Sequence, residues 1–500
     1  MRVEDETPRG SENGGGGDDD DVDRLDVELL QQDEENEARD SDDDEALAVS
    51  EEDCQATIAS TVFNLSNNIV GAGILTLPQC FKQASIVEGS LLLIGVGVLS
   101  GISLVLIAVC CEATRCFSFR GMGERALGRS FGIAIQTVMF VYTFFSCVSF
   151  MILAGDFFSG KDGIPQGLCS GSQCHSWLAD LFYERFGAVA TLTLLVLAPL
   201  SSLRNLNALR FTSLLSIVGM FYLLYLLVSS YVEASRHKGL APAKEIRVTT
   251  LSWGVFSAAP VVNVAFIAHY NVPRFYQEMK ERSIRKFATA VALALGLCGS
   301  VYVLVALFGY LHFGEATKSD VLENFGKTSL KGTLGRVAMA AVVLFTYPLA
   351  FNSLRASAIA LLGLCLPARD FARRRNFLTL TFALVALTFI PGSVLSDIGI
   401  VLDYKGAILG GCIGFAFPAW MFLARCNPSA LPARCAKPST DESSLQPLVG
   451  GHAAGPGFTG SSGELVFWTR ASFAFFTWAL ISGIMGVAVT TINLVRAPSH

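Results

Sequence analysis

The sequence predicts an all-α membrane protein of about eleven transmembrane helices behind a disordered acidic N-terminal tail. Three observations predict it. The 500 residues are 52% hydrophobic and only 16% charged, with a mean hydropathy of +0.48, whereas ordinary globular domains carry about 25% charged residues. Apolar runs of about 17–25 residues, the length that crosses a hydrocarbon core ~30 Å thick, recur from Ala56 onward. Charge is segregated: residues 1–53 hold 23 Asp+Glu against four Arg, and the remainder holds 33 Lys+Arg against 20 Asp+Glu. This composition excludes a secreted disulfide scaffold, a nucleic-acid binder and an intrinsically disordered body.

The tail comes first. Gly14–Gly17, Asp18–Asp21 and Asp42–Asp44 leave little apolar surface to offset ordering entropy, so residues 1–54 are expected to be disordered and cytosolic. They lack the basic and apolar regions of a signal peptide. A solvated tail is the plainer reading. The acidic dileucine-like string Asp26-Val27-Glu28-Leu29-Leu30 is also compatible with a sorting address or a cytosolic partner.

The apolar runs lie near 57–81, 88–112, 131–155, 187–203, 211–232, 252–270, 287–311, 336–364, 377–391, 405–424 and 467–494. They are continuous, without polar alternation, which argues for helices rather than barrel strands. Residues 55–425 form the expected ten-helix core, 426–465 a cytosolic loop, and 466–500 the eleventh helix with a C-terminal tail. One set of alternate loops, from Arg115 to Lys437, holds 18 Lys and Arg; the opposite set, from Lys82 to Lys405, holds 11. That bias puts the tail in the cytosol, although the loop 233–250 is basic on the wrong side. Most of the 13 cysteines fall in or beside the runs, as small hydrophobes. Cys169 and Cys174 share an expected outside loop, where a bridge is compatible with the spacing.

Two runs are interrupted. The first reads Phe63-Asn64-Leu65-Ser66-Asn67-Asn68 through Gly71-Ala72-Gly73 to Pro78. Polar side chains at that depth are costly unless they face a cavity or partners, while Gly weakens the helix and Pro removes a donor. A helix broken in mid-membrane offers free N–H groups to a carboxylate and free carbonyls to a cation. Small residues that merely let another helix approach are the plain alternative. Five runs later, Gly254, Ser257, Pro260 and Asn263 punctuate 252–263, so a second break is expected there. Paired interruptions at corresponding positions of two halves point to a transporter binding site. In the eighth run, the Thr346 hydroxyl suits a hard cation, or bonds back to its own helix. Arg355, further along, is expected to snorkel at the helix end.

These residues resemble the amino acid/auxin permease family, and within it the sodium-coupled neutral amino acid transporters. The resemblance rests on Val62-Phe63-Asn64-Leu65-Ser66-Asn67 through Gly71-Ala72-Gly73-Ile74-Leu75, on Arg210-Phe211-Thr212-Ser213, and on Ala265-Phe266 through Pro273 with Tyr276, Glu278 and Lys280. Phe308 to Gly314 and Thr346-Tyr347-Pro348 followed by Arg355 add to it. The resemblance implies a LeuT-like 5+5 inverted repeat plus one extra helix, and carriage of amino acids by alternating access with Na⁺ or H⁺. It implies that the first and sixth helices hold the substrate, with backbone at Gly71, Ala72 and Gly73 on its carboxylate; Asn68, Ser257 and Asn263, polar residues of the two interrupted runs, are the further substrate-site candidates. Asn67 and Thr346 would contribute to a Na⁺ site. Ala72 departs from the Ser frequent in animal relatives, which removes one hydroxyl.

The six His are dispersed, without metal-binding spacing, so neither a metal centre nor an intramembrane enzyme is argued. No ring of charge suggests a channel. A sensor that uses a transporter-like body and signals through the acidic tail is the rival reading. The expected partners are an amino acid and the lipid bilayer, not nucleic acid, and the host membrane is the plasma membrane or a vacuolar or lysosomal one.

Overall fold

The computed structural model describes residues 56–159, 164, 182, 184–203, 210–236, 246–250, 252–325, 329–366, 371, 373–426 and 462–496. The acidic tail, the Cys169/Cys174 pair and most of the 426–465 loop lie outside them. The described residues form helices, with one isolated parallel bridge between Ala56 and Met279.

Each expected apolar run falls on a helix. Thr57 caps α1 (Ile58–Ile69) by accepting the Ser60 amide at 3.2 Å. A 3₁₀ turn over Ala72–Thr76 leads into α2 (Leu77–Ala84). Then follow α3 (Ile86–Thr114), the short α4 (Phe119–Leu127), α5 (Arg129–Phe158), α6 (Arg185–Ser201) and α7 (Arg210–Arg236). After α8 (Gly254–Ala265) and α9 (Val272–Gln277) come α10 (Ile284–Phe313), α11 (Leu330–Cys365), α12 (Arg374–Val394), α13 (Ile398–Ala424) and α14 (Ser462–Arg496). Among the described residues, nine helical spans are long and apolar enough to cross a bilayer, and the bent pair α1–α2 makes a tenth. The shorter α6 is apolar but falls below that length.

Packing puts the interrupted helices inside. The α1 helix lies on α10, α2 packs on α8, and α8 is covered by α13 and α14; α11 runs along α5 and α7. Outer faces carry Leu91, Leu194, Leu195, Ile390 and Ile484, apolar groups suited to lipid. Helix α14 is largely peripheral. Inside, glycine lets helices approach one another closely. A Cβ on Gly309 would lie 2.5 Å from the Pro78 ring, so glycine at that position lets α10 close on α2.

Three expectations need correction. Helix α8 is continuous through 254–263, with Pro260 inside it. Proline costs one hydrogen bond, but Gly406 on α13 and Gly486 on α14 let both helices close around Pro260. The second break comes later, after Ala265. Arg355 does not snorkel. It is buried, donating to the Ser201 carbonyl at 2.7 Å, to Asn352 Oδ1 at 2.8 Å and to Thr381 Oγ1 at 3.2 Å, over the Phe377 ring. Lys405 does not sit in a loop; it is buried within α13.

Candidate functional site

The first break follows from local backbone. The Val70 amide still closes onto the Ser66 carbonyl at 2.9 Å, after which Val70 and Gly71 are extended (Gly71 φ −141°, ψ −160°). The chain turns by 54° between the two halves. Pro78 sits in the first turn of α2, where its missing N–H costs nothing. Gly71 is half-buried, and a Cβ built on it meets nothing within 4 Å. Open space therefore lies beside the break. The amides of Ala72 and Gly73 open the following turn, where the first donors of a helix have no partner within it.

The second break spans Phe266 to Ala268 and continues as a 3₁₀ turn over His269–Asn271. Amide bonds from Phe266 to Asn263 and from Ile267 to Val264, at 3.3 and 3.2 Å, tighten the end of α8. The two breaks meet. Gly73 lies against Ala265, where a Cβ would come 3.3 Å from the Ala265 Cα. The buried Tyr302 of α10 donates to the Ile69 carbonyl at 2.8 Å, with the Ala265 carbonyl at 3.3 Å. One phenol thus caps the freed ends of both half-helices. The Tyr270 hydroxyl, inside the second break, donates to Asn68 Oδ1 at 3.3 Å, while Asn68 Nδ2 has no hydrogen-bond partner. Donors without partners beside open space suit a carboxylate.

The structure brings Gly71, Ala72, Gly73 and Asn68 together and separates the others. Ser257 is buried two turns before the break, ~12 Å along the α8 axis at 1.5 Å per residue. The Asn263 carboxamide is engaged at both ends by α14, donating to Ser482 Oγ at 3.3 Å and accepting from Trp478 Nε1 at 3.0 Å. It joins helices rather than facing the opening. Asn67 is buried on α1. The Thr346 hydroxyl makes no hydrogen bond, neither back to α11 nor across to Asn67, so the back-bonded alternative does not occur.

Residues that sequence reasoning missed complete the surroundings. The Tyr142 ring of α5 lies 6.0 Å from the Tyr270 ring, and His269 is fully buried edge-on to Phe415. Tyr270 and His269 fall inside the stretch Ala265 to Pro273, whose lack of Gly and internal Pro before 273 hides the break. Above the first break, the turn Val321–Asn324 packs on the turn Ala72–Thr76. This loop is held by the buried Arg336, which donates to the Leu322 and Phe325 carbonyls, and by Lys82, which donates to the Thr317 carbonyl at 3.0 Å. Asp320 is buried beneath it, with one carboxyl oxygen accepting the Leu322 amide at 2.9 Å. Burial, and next the charge of Asp156, hold the Asp320 carboxyl well above the usual carboxylate range. Asp156 itself pairs with Arg185. The described residues contain no cluster of His, Cys, Asp and Glu that could hold a metal ion.

The chain is similar in sequence and fold to known transporters. The chain is 29% identical to the Arabidopsis thaliana amino acid transporter AVT6B, covering 74% of this chain and 82% of that protein. It is 30% identical to the Xenopus laevis sodium-coupled neutral amino acid transporter 7, covering 72% and 79%. The fold is similar to that of a manganese transporter from Eremococcus coleocola, with a TM-score of 0.51 at 13% identity over 88% of this chain and 89% of that one. The model of the transmembrane amino acid transporter protein family matches residues 55–439. With that match and two interrupted helices joined at their broken ends, the chain belongs to the transmembrane amino acid transporter family, as a multi-pass membrane protein.

Proposed function

We propose that this protein is a secondary active transporter that moves amino acids, neutral ones first among them, by alternating access driven by a Na⁺ or H⁺ gradient. The observation that carries the reading is the meeting of the two breaks under one tyrosine, with open space at Gly71. The amides of Ala72 and Gly73 and the Asn68 carboxamide supply donors for an α-carboxylate, and the dipole of the half-helix favours that charge. The pairs α1–α2 and α8–α9 would rock against the surrounding helices, since each bends where its ladder is already open. Asn67 and Thr346 offer oxygen to Na⁺. The proposed membrane is the plasma membrane or a vacuolar or lysosomal one, and the apolar outer faces suit lipid in any of them.

The test is uptake of a radiolabelled amino-acid panel by the full chain in liposomes, with Na⁺ replaced by choline and at two pH values. Saturable uptake or counterflow of at least one neutral amino acid is expected. Absence of counterflow for every member of the panel would overturn the reading.

A further inference from the structure

A cation lies inside the bundle without an acid beside it. Lys405, in the π-helical stretch Lys405–Gly410 of α13, is 5% exposed. Its Nζ donates to Ser146 Oγ of α5 at 3.1 Å and sits 4.8 Å from the centre of the Tyr142 ring. Among the described residues it forms no ion pair. From Tyr142 the contacts run on to the Tyr270 ring at 6.0 Å, then through the Tyr270 hydroxyl to Asn68, which precedes the first break. Lys405 is thus two aromatic rings away from the donors expected to meet the substrate carboxylate.

The titratable neighbours from each packed element are few. Helix α5 presents Tyr142 and Cys147. Helix α8 meets this stretch through Pro260 and Val264, and α14 through Gly483 and Gly486. Asp403, two residues earlier on α13, faces Cys80 of α2 and Thr490 of α14 instead. An ammonium here lacks a carboxylate, and an intramembrane charge of this kind is costly unless function requires it.

We propose that Lys405 carries the coupling proton of this transporter, an inference that rests on the transport reading above. When the site is empty, the free amine avoids an unpaired charge. When an amino acid docks at the first break, its carboxylate supplies the missing negative charge, and the amine takes a proton from hydronium to give the ammonium and water. Release on the other face reverses both events, the ammonium returning its proton to water. Each ligand stabilises the other, so proton and substrate move together by linkage. No Na⁺ is needed in this cycle.

The test uses the full chain in liposomes, with the membrane potential clamped at zero. An inward step of one pH unit should drive about tenfold accumulation of the amino acid if one proton is coupled, since one unit is a factor of ten in proton activity. Lys405→Met and Lys405→Arg should both lose that accumulation, and Lys405→Arg, whose fixed cation still attracts the carboxylate, should still show amino-acid counterflow. The arginine variant retains a cation but cannot release its proton, and so decides the matter even where the methionine variant fails to fold. Accumulation by Lys405→Arg at the wild-type level would overturn the proposal. So would wild-type accumulation that follows a Na⁺ gradient and ignores the pH step. Loss of counterflow in the wild type would instead overturn the transport reading itself.

Discussion

The phenolic oxygen of Tyr302 lies 2.8 Å from the carbonyl oxygen of Ile69, the last residue of α1. The Ala265 carbonyl, at the end of α8, is 3.3 Å from the same atom. A single side chain on a third helix therefore satisfies backbone that two broken helices leave open. Tyr302→Phe should cost about 1–3 kcal/mol, because buried carbonyls lose their donor. Thermal unfolding in detergent checks that figure, and uptake by liposomes should fall at least ~tenfold, equivalent to about 1.4 kcal/mol of destabilised breaks.

Gly71 and Gly73 separate function from folding. A Cβ on Gly71 meets open space, whereas one on Gly73 meets Ala265. Gly71→Val should fold and reach its membrane like the wild type while abolishing uptake, by filling the opening. Gly73→Val should be destabilised by about 1–3 kcal/mol, the usual cost of overpacking. Expression, thermal stability and uptake measured together distinguish the pair, and normal uptake by Gly71→Val would remove the site.

Thr346 has a buried hydroxyl oxygen without a hydrogen-bond partner. Deleting an unsatisfied group is close to neutral, so Thr346→Ala should unfold within about 0.5 kcal/mol of the wild type. Proton-driven uptake should be unchanged, and any stimulation by Na⁺ should disappear. A Na⁺ titration of uptake in the variant reads this directly.

Asp320 predicts a pH dependence. Its carboxyl is raised in the folded state by burial and by Asp156, so the folded loop binds a proton that the unfolded chain gives up. The resulting stability is full below the ordinary carboxylate range and is lost as pH rises through the raised value. Melting temperature should fall between acid and neutral pH, and Asp320→Asn, which stays neutral, should flatten that slope. An equal slope in both proteins would show that another group is responsible.

Much of this architecture was legible because the bilayer forces long apolar runs and leaves backbone nowhere else to bond. The first break was legible too, since Asn67, Asn68, Gly71, Gly73 and Pro78 each oppose a buried continuous helix. The second was misplaced by its most conspicuous residue. Pro260 looks like a breaker, yet Gly406 and Gly486 accommodate it, and the chain opens instead at Phe266, where nothing local marks it. The carbonyl freed there, that of Ala265, is met by Tyr302, 37 residues further along, a contact that no local sequence pattern marks. Arg355 was misplaced for a related reason: a polar side chain in a membrane span can be a helix-to-helix tie, as Asn263 also is, and sequence does not show which helix it will meet. Lys405 stands at the start of its apolar run, so counting charges in loops put it in water.

Asn263 holds α14 by both ends of its carboxamide, and Gly486 lets the same helix rest on Pro260. The peripheral helix α14 is therefore tied to α8 as well as packed on α13. Under the proposed alternating access, a swing of α8 would carry α14 with it or break the Trp478 and Ser482 bonds, so drag on that outer helix, from thick lipid or a neighbouring chain, would act as a brake on turnover.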